Sequence, residues 1–134
     1  MKITYNTKNI NMINEMARLA LLDTAEAVKT DLIQSQTVPF GKTRYNKNGK
    51  VVYQGGTLQN DSTFVDDKRI IKGIAKIVSD TPYARKVYFD PEIHIQQEKN
   101  QNAKQYWFED YISGNKKDLP IKYFKQMLKR RIGQ

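Results

Sequence analysis

Residues 79–92 read SDTPYARKVYFDPE, and whether this stretch is extended or helical decides how the middle of the chain is built. A proline disfavours helical geometry in the residue before it, so Pro82 acts on Thr81 and Pro91 on Asp90. The bracketed segment ARKVYF is therefore expected to be a strand. Period two then places Val87 and Phe89 on one face and Lys86 and Tyr88 on the other, so that one face joins a core while the other presents a ring and a cation.

On the N-terminal side, RIIKGIAKIVS (69–79) carries two signals. Ile70, Ile71, Ile74, Ile77 and Val78 have helical spacing, but the run is rich in β-branched residues and interrupted by Gly73. A strand with a bulge at Gly73 is the expectation, following a first strand in STFVDD (62–67). Residues 37–60 are dense in turn signals: Pro39, Gly41, Asn48-Gly49 and Gly55-Gly56. The Asn-Gly pair between TRY and VVY suits a two-residue hairpin with positive φ at both central positions. The reading is a hairpin arm over 38–60, whose Tyr45, Val51 and Tyr53 either close over the core or dock on a partner.

Further out, Ile10, Ile13, Ala17, Leu21, Thr24, Val28 and Leu32 recur at three- and four-residue steps, one face of a long helix from about residue 10 to 34. Beyond the opening stretch, QQEKNQN (96–102) reads as a polar linker. Asn102 then caps a short helix containing Tyr106, Trp107, Phe108 and Tyr111, stopped by Gly114. A second helix starts at Asp118, with Pro120 tolerated in its first turn. Its apolar face is Ile121, Phe124, Leu128 and Ile132, and Lys122, Lys125, Lys129, Arg130 and Arg131 occupy the rest. The order predicts an α+β fold: a long N-terminal helix packed on a small, mainly antiparallel sheet, a hairpin arm, and two C-terminal helices within 102–134.

The 134 residues fit one domain spanning 1–134. With 39% hydrophobic and 28% charged residues, the composition is that of a folding chain rather than a disordered one. The 23 Lys and Arg against 14 Asp and Glu leave a net charge of +9, which raises nucleic acid, an anionic membrane or an acidic protein surface as partners. No cysteine is present, which removes disulfides, zinc–thiolate sites and a cysteine nucleophile. The N-terminus lacks the apolar run of a secretory signal, and no segment approaches a membrane span, so a soluble protein assembled in a cytoplasm is expected.

Catalytic chemistry is poorly supported. The one histidine, His94, stands in a polar segment away from any nucleophile motif. Asp66, Asp67, Asp90 and Glu92 offer magnesium-type ligands, but adjacent acids on a strand point to opposite faces. QGGTL lacks the lysine and spacing of a phosphate loop. Glu109 and Asp110, as neighbours on a helix, diverge by about 100°. No catalytic residue, metal ligand or cofactor is therefore assigned. Basic and aromatic residues together can also bind single strands, and the basic last helix can hold duplex phosphates.

Three motifs in order, VPFGKT...GGTLQNDSTFVD, DTPYARKVYFDPE and NAKQYWFEDYISGNKKD, resemble the minor capsid or head-tail connector family of tailed phages and prophages of Gram-positive bacteria. That group is itself similar to phage tail-completion proteins. In the resemblance, Gly56 and Leu58 correspond to a G-x-L turn, Tyr83, Ala84 and Arg85 to a YA-R element, and Trp107 and Phe108 to the W-F of the C-terminal helix. The insert KTRYNKNGKVVYQG lengthens the usual passage before GTL, so the role of that hairpin does not carry over. The resemblance implies a non-enzymatic, homo-oligomeric ring subunit of about six or twelve copies. Its place would be the virion neck, between portal-side and tail proteins, with DNA passing nearby. Interfaces favour aromatics and arginine, which makes Tyr83, Arg85, Tyr88, Tyr45 and Tyr53 interface candidates. Lys125, Lys129, Arg130 and Arg131 join them as a surface for an acidic neighbour. The rival readings are a small DNA-binding module and, behind it, a metal-dependent nuclease.

Overall fold

The computed structural model describes residues 7–39, 44–53, 57–81, 83–90, 92–93, 95, 97 and 100–133. The fold is α+β, as expected. Helix α1 (Thr7–Gln34) is about 42 Å long at 1.5 Å per residue. Strands β1 (Arg44–Tyr45) and β2 (Val51–Tyr53) form one antiparallel hairpin, and β3 (Thr63–Asp66) and β4 (Lys76–Ser79) form another. Helices α2 (Ala84–Phe89), α3 (Glu109–Ile112) and α4 (Leu119–Ile132) complete the order.

Helix α1 buries Ala20, Thr24, Val28 and Leu32, a stripe at four-residue steps, with Ala25 beside it. The expected face included Ala17 and Leu21, which are half-buried, and missed Ala20; Ile10 and Ile13 have side chains outside the described residues. The helix packs on α4 as well as on the β3–β4 hairpin. It ends where Gln36 takes a left-handed φ of 59°, after which the chain turns to bury Val38 completely.

The β1–β2 hairpin lies between two buried anchors, Val38 and Leu58. Its turn is longer than the expected two-residue one. Only Gly49 has a positive φ, 79°, and Asn46 organises the turn: its carbonyl accepts from the Gly49 amide, and its side-chain Oδ1 accepts from the amides of Asn48 and Lys50. An Asx side chain supplying local acceptors stabilises this wider turn as well as an Asn-Gly pair stabilises the tight one.

In the second hairpin Thr63, Phe64, Val65 and Asp66 pair with Ser79, Val78, Ile77 and Lys76. The expected strand over 69–79 is thus half right. Residues Ile70–Lys72 form a 3₁₀ turn, and Gly73, at φ 76°, ends it in the left-handed region before β4 begins. Both periodicities in RIIKGIAKIVS are real: the helical spacing belongs to the turn and the β-branched run to the strand, and Gly73 is the switch rather than a bulge.

The stretch ARKVYF, expected as a strand, is helix α2. Proline restraints act outside it: a proline ahead of a helix removes an amide the helix does not use. Asp90 follows as an extended cap at φ −78°, ψ 112°, as the proline after it requires. Helical spacing groups Ala84, Val87 and Tyr88 towards the core and turns Phe89 outwards, 57% exposed.

The C-terminal region also departs from expectation. Trp107 and Phe108 precede α3 instead of lying within a helix, because Tyr106 adopts a left-handed φ of 53° that breaks helical continuation. Asn102 caps nothing; its amide donates to the carbonyl of Ser35. Helix α4 begins after Asp118 with Pro120 in its first turn, as expected, and packs Phe124 and Leu128 half-buried while Ile121 and Ile132 stay exposed.

Candidate functional site

The three segments that carry the resemblance meet in one place. Leu58, Ala84 and Trp107 pack with Leu32 and Val38 into the core cluster, and Val87, Tyr88, Phe108 and Tyr111 lie against it. Trp107 is 1% exposed. Tyr88 is the hub of the aromatic layer: it meets Trp107 at 4.7 Å, Phe89 at 4.8 Å and Tyr106 at 5.3 Å edge-to-face, and Phe108 at 5.9 Å in a tilted pair. Edge-to-face pairs at these separations set ring quadrupoles favourably. Burial, reinforced by the nearby Glu109 carboxylate, pushes the Tyr88 phenol above its ordinary pKa despite a backbone hydrogen bond from Phe108.

A chain of polar groups crosses this core. Thr63 Oγ1 donates to the carbonyl of Leu58 at 2.5 Å, which spends its one hydrogen, so Ser79 Oγ donates to Thr63 at 2.9 Å. Trp107 Nε1 in turn donates to Ser79 Oγ at 3.3 Å. Each hydroxyl thereby donates once and accepts once, which is what a buried hydroxyl requires.

The supposed linker before Trp107 is a clamp. The buried Asn100 directs both hydrogens of its amide inward, to the carbonyl of Val38 at 2.6 Å and to Gln59 Oε1 at 2.5 Å. The amide of Lys104 donates to the carbonyl of Thr37 at 3.1 Å. With Asn102 on Ser35, these bonds fasten residues 100–104 to the exit of α1. Gln105 extends the clamp by donating to the carbonyls of Val87 and Asp90 at the end of α2. Composition alone hid this role, because an asparagine-rich run reads as a loop until its long-range acceptors are known.

Over this core lies a groove of about 590 Å³. Tyr88 and Phe89 of α2, Trp107, Phe108 and Ile112 line it, together with Ile77 and Ser79 of β4. Phe89 and Ile112 are 57% and 67% exposed. Arg85 and Glu109 stand on opposite helices at the lining, one cation and one anion.

The interface candidates fall into distinct settings. Tyr83 precedes α2 and is 43% exposed, and Arg85 is exposed at the groove. Tyr88 is largely a core residue with an edge at the groove. Tyr45 and Tyr53 lie in β1 and β2, with side chains outside the described residues, where Gly56 and His94 also fall. Lys125, Lys129 and Arg130 are exposed on α4. Arg131 is engaged within the chain: its Nε and Nη2 donate to the two carboxylate oxygens of Asp23 at 2.9 and 3.0 Å, which raises the guanidinium pKa further. It fastens α4 to α1.

A second internal pair bears on stability. Asp31 Oδ2 accepts from the Tyr111 hydroxyl at 2.7 Å and from Lys116 Nζ at 2.8 Å. Burial alone would raise the Asp31 pKa, but these two donors outweigh it and hold it below the ordinary 3.8. Burial and the Asp31 carboxylate raise the Tyr111 phenol far above its usual range. Since the Asp31 pKa is depressed by folding, its stabilisation is complete above the unfolded-state pKa and is lost as pH falls through the folded value. Asp31→Asn is expected to cost about 1–2 kcal/mol at neutral pH, and the gap from wild type should narrow below about pH 4. Urea unfolding of both proteins across pH 3–7 measures it; a pH-independent gap would contradict the assignment.

The acids once considered as metal ligands are used locally. Asp66 Oδ1 accepts from the Lys68 amide and Asp90 Oδ1 from the Glu92 amide, each within its own turn. Among the described residues no group of three or more His, Cys, Asp or Glu is placed to hold a metal ion, and no helix is long and apolar enough to cross a membrane. Comparison with known proteins found no matching family model, curated protein or solved structure.

Proposed function

We propose that this protein is a structural subunit of a tailed-phage virion at the head-tail junction, acting by ring assembly and docking between head-side and tail proteins rather than by catalysis. The observation that carries the reading is the convergence of the three motif-bearing segments. Leu58, Ala84 and Trp107 share one core, and the second and third of these segments line an aromatic groove with exposed Phe89 and Ile112. Exposed apolar residues grouped around a pocket suit a protein interface.

The test is immunogold labelling of phage particles from the source strain with an antibody raised to this chain. Gold at the head-tail junction is expected. Absence of label from intact and disrupted particles would overturn the reading.

The exposed Lys125, Lys129 and Arg130 support the second reading, a DNA-binding module. In the connector reading these cations meet an acidic protein surface, because strong phosphate contacts would retard passing DNA. Changing the three to Ala is expected to weaken partner docking. Intact docking with loss of a steeply salt-dependent affinity for duplex DNA would favour the DNA-binding module.

A further inference from the structure

The turn of the β1–β2 hairpin carries a chemically reactive pair. An asparagine side chain can be attacked at its carbonyl carbon by the amide nitrogen of the next residue, and a β-carbon on that residue crowds the approach. Glycine has none, and Asn48 is the only asparagine in the chain followed by glycine. The fold leaves the approach open. Asn48 and Gly49 are both exposed. Gly49, at φ 79°, has no atom beyond its chain neighbours within 4 Å of where a β-carbon would stand. The Asn48 side chain makes no hydrogen bond among the described residues.

Other asparagines differ on one or both counts. Asn100 and Asn102 spend their amide hydrogens on distant acceptors, and Asn60 Oδ1 accepts from Gln59. Asn14, Asn60 and Asn115 are followed by Glu15, Asp61 and Lys116, whose side chains obstruct the attack. What restrains Asn48 is the turn around it. The Gly49 amide donates to the Asn46 carbonyl at 3.1 Å, and Asn46 Oδ1 accepts from the Asn48 and Lys50 amides at 2.9 Å each. The Gly49 nitrogen can attack only when this turn opens locally.

We propose that Asn48 is a site of spontaneous deamidation and that Asn46 sets its rate. The Gly49 nitrogen bonds to Asn48 Cγ as the Cγ–Nδ2 bond breaks, and ammonia leaves with the Gly49 amide proton. Water then opens the resulting cyclic imide. Opening at Cγ leaves aspartate; opening at the backbone carbonyl carbon leaves isoaspartate, whose main chain runs through the former side chain. Either product puts a carboxylate between Lys47 and Lys50. The isoaspartyl form also lengthens the turn by one backbone atom, which displaces the Lys50 carbonyl from the Asn46 amide it now meets at 2.8 Å. Turn geometry fixes hairpin register, so this form releases the pairing of Arg44 with Tyr53 and Tyr45 with Val51. The core around Trp107 is untouched. The inference stands apart from the virion reading.

The experiment incubates the full chain at neutral and mildly alkaline pH and maps it by mass spectrometry of the chymotryptic peptide NKNGKVVY (46–53). The peptide is expected to gain the mass of OH replacing NH2, placed at Asn48 by fragmentation, faster at the higher pH and as two products of equal mass. Peptides holding Asn100 and Asn102 should stay unchanged. Asn48→Gln should abolish the gain and Gly49→Ala should slow it. Asn46→Ala should speed it at least about fivefold, the equivalent of two weak hydrogen bonds. In urea, wild type and Asn46→Ala should convert at the same rate, which separates a restraint of the fold from an effect of sequence. Conversion in urea but none in the folded chain would overturn the site. Equal rates for folded wild type and folded Asn46→Ala would overturn the role of Asn46. Hydrogen exchange on the purified isoaspartyl form should show the Lys50 amide deprotected, and retained protection there would overturn the release of the hairpin.

Discussion

Trp107→Ala is expected to destabilise the protein by about 3–5 kcal/mol, the range for removing a large aromatic from a core. Domains of this size have roughly 5–15 kcal/mol in total, so the variant stands near the threshold of folding at 37 °C. The magnitude follows from what the indole touches. It is 1% exposed, packs with Leu32, Val38, Leu58 and Ala84, makes an edge-to-face pair with Tyr88, and donates to Ser79. The cavity left by Ala would lie between α2, the β3–β4 hairpin and the end of α1, three elements too constrained to collapse into it. Trp107→Phe keeps the ring and loses the donor, and about 1–2 kcal/mol is expected. Trp107 is the only tryptophan, so circular dichroism rather than fluorescence should follow urea unfolding of both variants. A loss below about 1 kcal/mol for Trp107→Ala would show that the indole is not the centre of the core. Because Trp107 also lines the groove, its variants change stability and the groove together, whereas Ile112, at the surface, alters the groove alone.

Asn100→Leu is expected to cost about 2–4 kcal/mol, although it replaces a polar side chain at a buried site with an apolar one. The asparagine amide supplies hydrogens to both the Val38 carbonyl and Gln59 Oε1. Leucine supplies neither, and two acceptors shielded from water would go unsatisfied at about 1–3 kcal/mol each. Asn100→Asp gives a sharper test, since it sets a carboxylate against two oxygens. Its protonated form can still donate one bond, so folding would raise the new carboxyl pKa. A raised pKa gives stability that is present below the unfolded value, about 3.9, and is lost as pH rises through the folded one. The deficit of Asn100→Asp should therefore grow from pH 3 to pH 7, while that of Asp31→Asn also grows over the same range for the opposite cause, a native carboxylate that gains its partners as it ionises. The two can be told apart in acid: as pH falls below about 4 the Asp31→Asn deficit should keep narrowing, whereas Asn100→Asp should level off at the cost of one missing donor. Thermal or urea unfolding at four or five pH values reads both.

The two stability variants bear on the proposed assembly through the same piece of chain. Residues 100–104 hold the exit of α1 and deliver Trp107 to the groove wall. Loosening the clamp at Asn100 should therefore weaken docking at the groove indirectly, by misplacing Trp107, whereas Ile112→Asp changes the groove surface itself. Only the former should be accompanied by a lower unfolding midpoint.

Several features were legible in the residues themselves. The helical periodicity of α1 through Thr24, Val28 and Leu32, the strand STFVDD, and the Asp118 start of α4 with its proline are local signals, and local geometry decided them. The α+β order followed. Other features depended on contacts between residues far apart in sequence. ARKVYF satisfies both a strand and a helix within its proline brackets, and packing settled the choice, because only the helix brings Ala84, Val87 and Tyr88 together against Trp107. The aromatic run before α3 looked helical until Tyr106 turned left-handed, a conformation that the anchored segments on either side impose. Asn100 and Asn102 read as linker because their acceptors lie 41 to 67 positions away. Arg131 read as one more surface cation because its partner Asp23 is on α1. The sequence by itself determined the hydrophobic periodicities, the turn points and the charge excess, since each depends on a few neighbouring residues. The tertiary structure decided which asparagines are structural, which arginine is occupied, and which aromatics share one groove, since those depend on which distant groups the chain brings within bonding distance.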